Sequence, residues 1–141
     1  MITEFGPLFD KINLKTTEYI RGNYDEHAAI PDRFFNYWFH FAKYGLEHPF
    51  DFLHMYEVTS SHLYPTVGDQ PSAAFMRQAR LILIEGQKMG IVKNMDVSIM
   101  NQLIRGAIVN LVKCNVSLGR SLSDDELTSA IKALWDAVKA K

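Results

Sequence analysis

The residues able to do chemistry in this chain are few, and their spacing argues against a reaction. The five histidines are His27, His40, His48, His54 and His62. No two are four residues apart, the separation that sets two imidazoles on one helical face around a zinc ion. His54 and His62 share roughly one side of a helix two turns apart, and Glu57 lies across it, so no ligand set converges. Cys114 follows Lys113 inside a helical stretch, where a thiol is ordinarily inert. A lone cysteine forms no intramolecular disulfide, which fits a reducing, cytoplasmic setting. There is no glycine-rich phosphate loop and no Gly-x-Ser-x-Gly elbow. No pair of carboxylates and no nucleophile with a base stands out. The expectation is a protein that is not an enzyme, with no catalytic residue, no metal and no cofactor.

What the chain has in quantity is aromatic surface. Of its 17 Phe, Trp and Tyr residues, 15 precede residue 65, leaving Phe75 and Trp135. Pockets for small molecules are concave and mostly apolar and aromatic, with a few polar groups. The candidate ligand-binding residues are therefore Phe34, Trp38, Phe41, Phe52, Met55, Tyr56, Thr59, Met76 and Arg80. Trp38 and Tyr56 combine flat apolar area with a polar tip, and methionines adapt to irregular shapes. Plain core packing uses the same residue types. Arg77, Arg80, Lys88 and Lys93 read as a solvated face. With a formal net charge of -1 there is no overall basic footprint for nucleic acid. No apolar run approaches the ~18–20 residues of a membrane span, and the N-terminus lacks the features of a secretory signal.

A chain of 141 residues suits one domain spanning 1–141. Apolar periodicity and breakers predict six helices and no strand. The first covers about 2–21, with Ile2, Phe5, Leu8, Phe9, Ile12, Tyr19 and Ile20 on one face and Pro7 tolerable only in its first turns. The second runs from Pro31 to Glu47. Its polar residues share one narrow strip, so it should be buried on most sides and form the centre. His48-Pro49 forces a break. The third runs from about Pro49 to Leu63, with Phe52, Leu53, Met55, Tyr56 and Leu63 inward. The fourth covers about 72–89, with a stripe of Phe75, Met76, Ala79, Ile82, Leu83, Gly86 and Met89. Gly90 is a natural stop. The fifth opens at Met95-Asp96 and reaches about Leu118. The sixth begins at Ser123-Asp124-Asp125-Glu126, a capping box in which serine and glutamate satisfy orphan backbone N–H groups reciprocally.

The last two helices read as an interface. Leu127, Ile131, Leu134 and Val138 alternate at four and three along the sixth, widened by Trp135. On the fifth, Met100, Leu103, Ile104, Ala107, Ile108, Leu111 and Val112 cover about half the circumference. That exceeds the arc of ~100° a surface helix needs. Two antiparallel hairpins related by a two-fold axis would make a four-helix bundle. The expected dimer contacts are Ile104, Ile108, Leu111, Leu127, Ile131, Leu134 and Trp135. Asn101 and Asn115 either pair across that axis or sit near helix ends.

Several short motifs, in order, resemble the C-terminal half of TetR-family transcriptional regulators. They are Glu47-His48-Pro49 at a helix break; the run Glu85-Gly86 through Gly90, Lys93 and Asp96; Gly106 with Ala107-Ile108; Gly119 with Leu122-Ser123 and the acids after it; and Trp135-Asp136-Ala137. Together they extend over essentially the whole chain. The resemblance implies an all-α regulatory domain of six helices whose last two form a dimerising antiparallel hairpin. It also implies a homodimer, and a small apolar or aromatic effector held among the earlier helices that modulates DNA binding. The helix-turn-helix segment of that family is absent from these residues, so no DNA-contacting residue carries over and DNA would be reached only through it. A standalone helical ligand-binding or dimerisation protein without DNA-binding activity remains the alternative.

Overall fold

A computed structural model describes residues 6–60 and 74–141. Six helices are present among them: α1 (Gly6–Gly22), α2 (Ile30–Glu47), α3 (Pro49–Ser60), α4 (Ala74–Lys88), α5 (Val97–Ser117) and α6 (Asp124–Val138). No strand occurs among the described residues. A single antiparallel bridge pairs Val92 with Lys139, where Lys93 N–H donates to the Val138 carbonyl at 2.8 Å.

The centre is α2, which packs against each of the other five helices. Its wide apolar arc explains this: Ile30, Phe34, Tyr37, Trp38, Phe41, Ala42, Tyr44 and Gly45 are all buried. Pro31 occupies the first turn, where a missing N–H costs nothing. His48 leaves helical geometry (φ −129°, ψ 65°), as a residue preceding proline must. The corner this makes turns α3 back so that Phe52 meets Phe41, with ring centroids 6.4 Å apart.

The first helix differs from its expected face. Phe9, Ile12 and Ile20 are buried, but so are Asn13, Thr16 and Thr17, while Leu8 is exposed. Pro7 does lie in the first turn. In α4, Ala79, Ile82, Leu83 and Gly86 point inward, and Met89, past the helix end, is exposed. Gly90 takes a left-handed φ of 72°, which ends α4 at little cost. Just before it, Gly86 permits close approach: a Cβ there would collide with Val92 and press on Ile30.

The last two helices start at side-chain caps. Asp96 accepts the Ile99 N–H at 3.0 Å, so α5 begins one residue after the aspartate. The Ser123–Glu126 capping box forms in both directions, at 3.1 and 3.0 Å. Ion pairs join helices across the fold, among them Arg33 to Glu85 at 3.2 Å and Lys43 to Asp124 at 2.9 Å.

Candidate functional site

Four helices converge on one cavity. Helix α1 contributes Thr16, and α2 contributes Phe41 and Tyr44. Helix α3 contributes Phe52, Met55 and Tyr56, and α5 contributes Arg105 and Val109. The contributions follow from each helix's inward stripe. Phe41 and Tyr44 are one turn apart on α2, Phe52 and Met55–Tyr56 one turn apart on α3, and Arg105 and Val109 one turn apart on α5. The gap between these side chains and its mouth amount to about 330 Å³, but the centre of a water can reach only about 10 Å³ of it. That is room for roughly one water, so the side chains themselves nearly fill the space.

The polar groups around it are specific. Thr16 Oγ1 donates to the Ile12 carbonyl at 2.9 Å and touches Met55 Sδ at 3.9 Å. The Tyr44 hydroxyl donates to Asp51 at 3.3 Å, and its ring stacks on His48 at 4.2 Å between centroids. Burial first, and the Asp51 charge second, push the Tyr44 hydroxyl pKa up. On the other side, Lys113 Nζ donates to the Tyr56 hydroxyl at 3.2 Å and lies 4.5 Å from the ring centroid. That contact adds a cation–π attraction to the hydrogen bond.

Of the candidate ligand-binding residues, Phe41, Phe52, Met55 and Tyr56 are brought together here. Trp38 is buried one layer back, edge-on to Phe41 at 5.5 Å. Phe34 is not in this wall. It is fully buried, with its ring 5.2 Å from that of Trp135 on α6. Arg80 is on the solvent face of α4. The side chains of Thr59 and Met76 lie outside those described. Sequence reasoning missed Thr16, Tyr44, Arg105 and Val109. Arg105 sits beside Ile104 within the apolar stretch of α5, and that flanking was the available signal.

The expected dimer residues lie in or against the chain's own core. Ile104, Ile108, Leu127 and Ile131 are buried in the chain's own core, and Leu111, Leu134 and Trp135 pack partly buried against it. The physical reason is α2, whose apolar surface is wide enough to take the stripes of both α5 and α6. The apolar residues that α5 leaves outward are Ile99, Leu103 (63% exposed) and Ala107, on one line of the helix with Asn110 and Cys114, and Leu118 at its C-cap continues that line. Asn101 and Asn115 are buried, and the Oδ1 atom of each has no hydrogen-bond partner among the described residues.

Among the described residues no group of three or more His, Cys, Asp or Glu side chains could hold a metal, and no helix is long and apolar enough to cross a membrane. Comparison with curated proteins gave no match. A crystal structure from Shewanella sp. PV-4, assigned to the tetR family of transcription regulators, superposes with a TM-score of 0.81. It covers 97% of this chain and 74% of its own, at 14% identity, a likeness of fold. The family model for the tetracyclin repressor-like C-terminal domain matches residues 30–139, from the start of α2 to the end of α6. These residues carry the cavity's α2, α3 and α5 walls together with the last helix, α6, and the chain belongs to the TetR-like C-terminal domain family.

Proposed function

We propose that residues 1–141 form the ligand-sensing and homodimerisation domain of a TetR-like transcriptional regulator, with a binding role and no catalysis of its own. The effector is a small apolar or aromatic molecule. DNA is reached through a helix-turn-helix segment that these residues do not contain.

The observation that carries the reading is the convergence of Phe41, Phe52, Met55 and Tyr56 with Thr16 and Arg105 on one internal cavity. The cavity is nearly filled, so a ligand must displace side chains to enter. Three of those side chains are on α3, and one of them, Met55, is unbranched and adaptable. Met55 also touches Thr16 on α1. A ligand that widens the α3 wall therefore shifts the position of the first helix, and it changes the equilibrium by as much as it prefers the widened form. The dimer is assigned to the outward row of α5 centred on Leu103, which is the apolar arc that the core leaves over.

A thermal-stability screen of apolar and aromatic compounds tests the sensing role. A ligand bound by the folded form alone raises the melting temperature by mass action. If no compound of either kind raises it, the cavity is only core and the sensing role is lost.

A further inference from the structure

We propose a second binding site, for a free amino acid with an apolar side chain, in the cleft between the C-terminal end of α2 and the turn that joins α5 to α6. The cleft measures about 340 Å³, within the ~300–1,000 Å³ usual for small-molecule sites. One ion pair already spans it. Lys43 Nζ, on α2, donates to both carboxylate oxygens of Asp124, at 2.9 and 3.2 Å. One turn further along α2 stands Glu47, and four residues before Asp124, on the other wall, stands Arg120. These two complete no second rung. Neither enters an ion pair among the described residues. The cleft therefore offers a carboxylate on one wall and a guanidinium on the other, and a molecule that carries both charges bridges them.

A buried amide adds an independent observation. Asn115 lines the same cleft and is only 6% exposed. Its Nδ2 donates to the Leu111 carbonyl at 2.8 Å, and its Oδ1 has no hydrogen-bond partner among the described residues. A buried acceptor without a donor is costly, and a donor brought by a ligand removes that cost. An ammonium has three donors, enough for Glu47 and for Asn115 Oδ1 together. The C-terminal end of α2 also favours a cation there through its last carbonyls. The carboxylate of the ligand falls to Arg120, whose guanidinium fork fits it. The backbone of Arg120 is fixed at the rim, its N–H donating to the Asn115 carbonyl at 2.9 Å. The acids nearby are already engaged, Asp124 by Lys43 and Glu126 by its capping box with Ser123. Leu46, Val116 and Leu127, half or fully buried, supply apolar surface for the side chain. A ligand with a carboxylate alone would face Glu47 uncompensated, and one with an ammonium alone would face Arg120.

Matched ligands test this directly. The purified 141-residue chain is titrated by calorimetry with leucine, methionine and phenylalanine, with melting temperature as a second readout. Leucine methyl ester, which lacks the carboxylate, and 4-methylpentanoate, which lacks the ammonium, serve as controls. At least one of the three amino acids is expected to bind, and leucine at least about tenfold more tightly than either control, the loss expected for one charge-assisted hydrogen bond. Glu47 and Arg120 are exposed, so Glu47→Gln and Arg120→Gln should fold as the parent does. Each should weaken leucine by about tenfold, to the level of the control that lacks the matching charge. Neither substitution should alter binding of an apolar compound in the cavity of Phe41 and Phe52, which separates this site from the effector site. Binding by none of the three amino acids would overturn the proposal. So would either control binding as tightly as leucine, or leucine binding that survives both substitutions.

Discussion

Phe52 occupies the space a side chain on Gly45 would need: a Cβ there would lie 2.5 Å from Phe52 Cδ1. The glycine is thus what lets α3 close down on α2, and Phe52 is at once the contact and a wall of the cavity. Alanine at Gly45 gains up to about 1 kcal/mol in helix propensity. Overpacking costs about 1–3 kcal/mol. A net loss of about 1 kcal/mol is expected for Gly45→Ala in urea unfolding, together with weaker ligand-induced stabilisation as the ring is forced toward the cavity. Unchanged stability with unchanged ligand response would show that Phe52 moves without involving the site.

Gly86 is held more tightly. A side chain there would meet two branched residues, Val92 and Ile30, and the Gly86 carbonyl accepts N–H groups from both Ile91 and Val92. Gly86→Ala should cost more than Gly45→Ala, about 2–3 kcal/mol. Equal or smaller destabilisation in the same urea experiment would mean that the α4–α5 corner relaxes freely.

Asn13 is fully buried on α1, and neither its amide nitrogen nor its oxygen has a hydrogen-bond partner among the described residues. Leaving such a group unsatisfied costs about 1–3 kcal/mol, whereas an apolar group of similar shape escapes the cost. Asn13→Leu is expected to raise stability by about 1 kcal/mol, seen as a higher melting temperature. A lower melting temperature would indicate that the amide is satisfied by ordered water in solution.

Two substitutions on α5 should part company. Leu103→Glu places a charge on the exposed apolar row, so the chain should remain helical and sediment as a monomer. Ile108→Glu buries a charge in the core and should unfold the protein or leave it insoluble. A folded Leu103→Glu dimer in analytical ultracentrifugation would remove this row from the interface.

The Glu126 carboxyl is held below the usual glutamate range, chiefly by accepting the Ser123 backbone N–H and then by its link to the serine side chain. A lowered folded-state pKa contributes stability that is complete above the unfolded value and fades as pH falls through the folded one. The stability difference between the parent chain and Glu126→Gln should therefore be constant near neutral pH and shrink on acidification below the ordinary glutamate range. Ser123→Ala should lose about 1 kcal/mol as the cap is removed. A Glu126→Gln difference that grows toward low pH would reverse the assigned sign.

Read alone, the sequence determined the number and type of the helices, most of their ends, and the central place of α2. These depend on neighbours within a few residues: Pro49 displacing His48, the Ser123 cap, the left-handed glycine after α4, and an aromatic arc too wide for any surface helix. Tertiary structure decided which apolar arc went where. Periodicity shows that a helix has an apolar face but not what covers it. On α5 the arc was wide enough to offer both Ile104 and Leu103, and α2 took the first. The same holds for polar groups: Arg105, Asn13 and Thr16 have types that favour solvent, and only the packing of α1, α3 and α5 around α2 brought them inside. Half of the cavity wall was legible as aromatic residues with helical spacing. Thr16, Tyr44, Arg105 and Val109 were not, because which side chains meet at a cavity is set by neighbours distant in sequence.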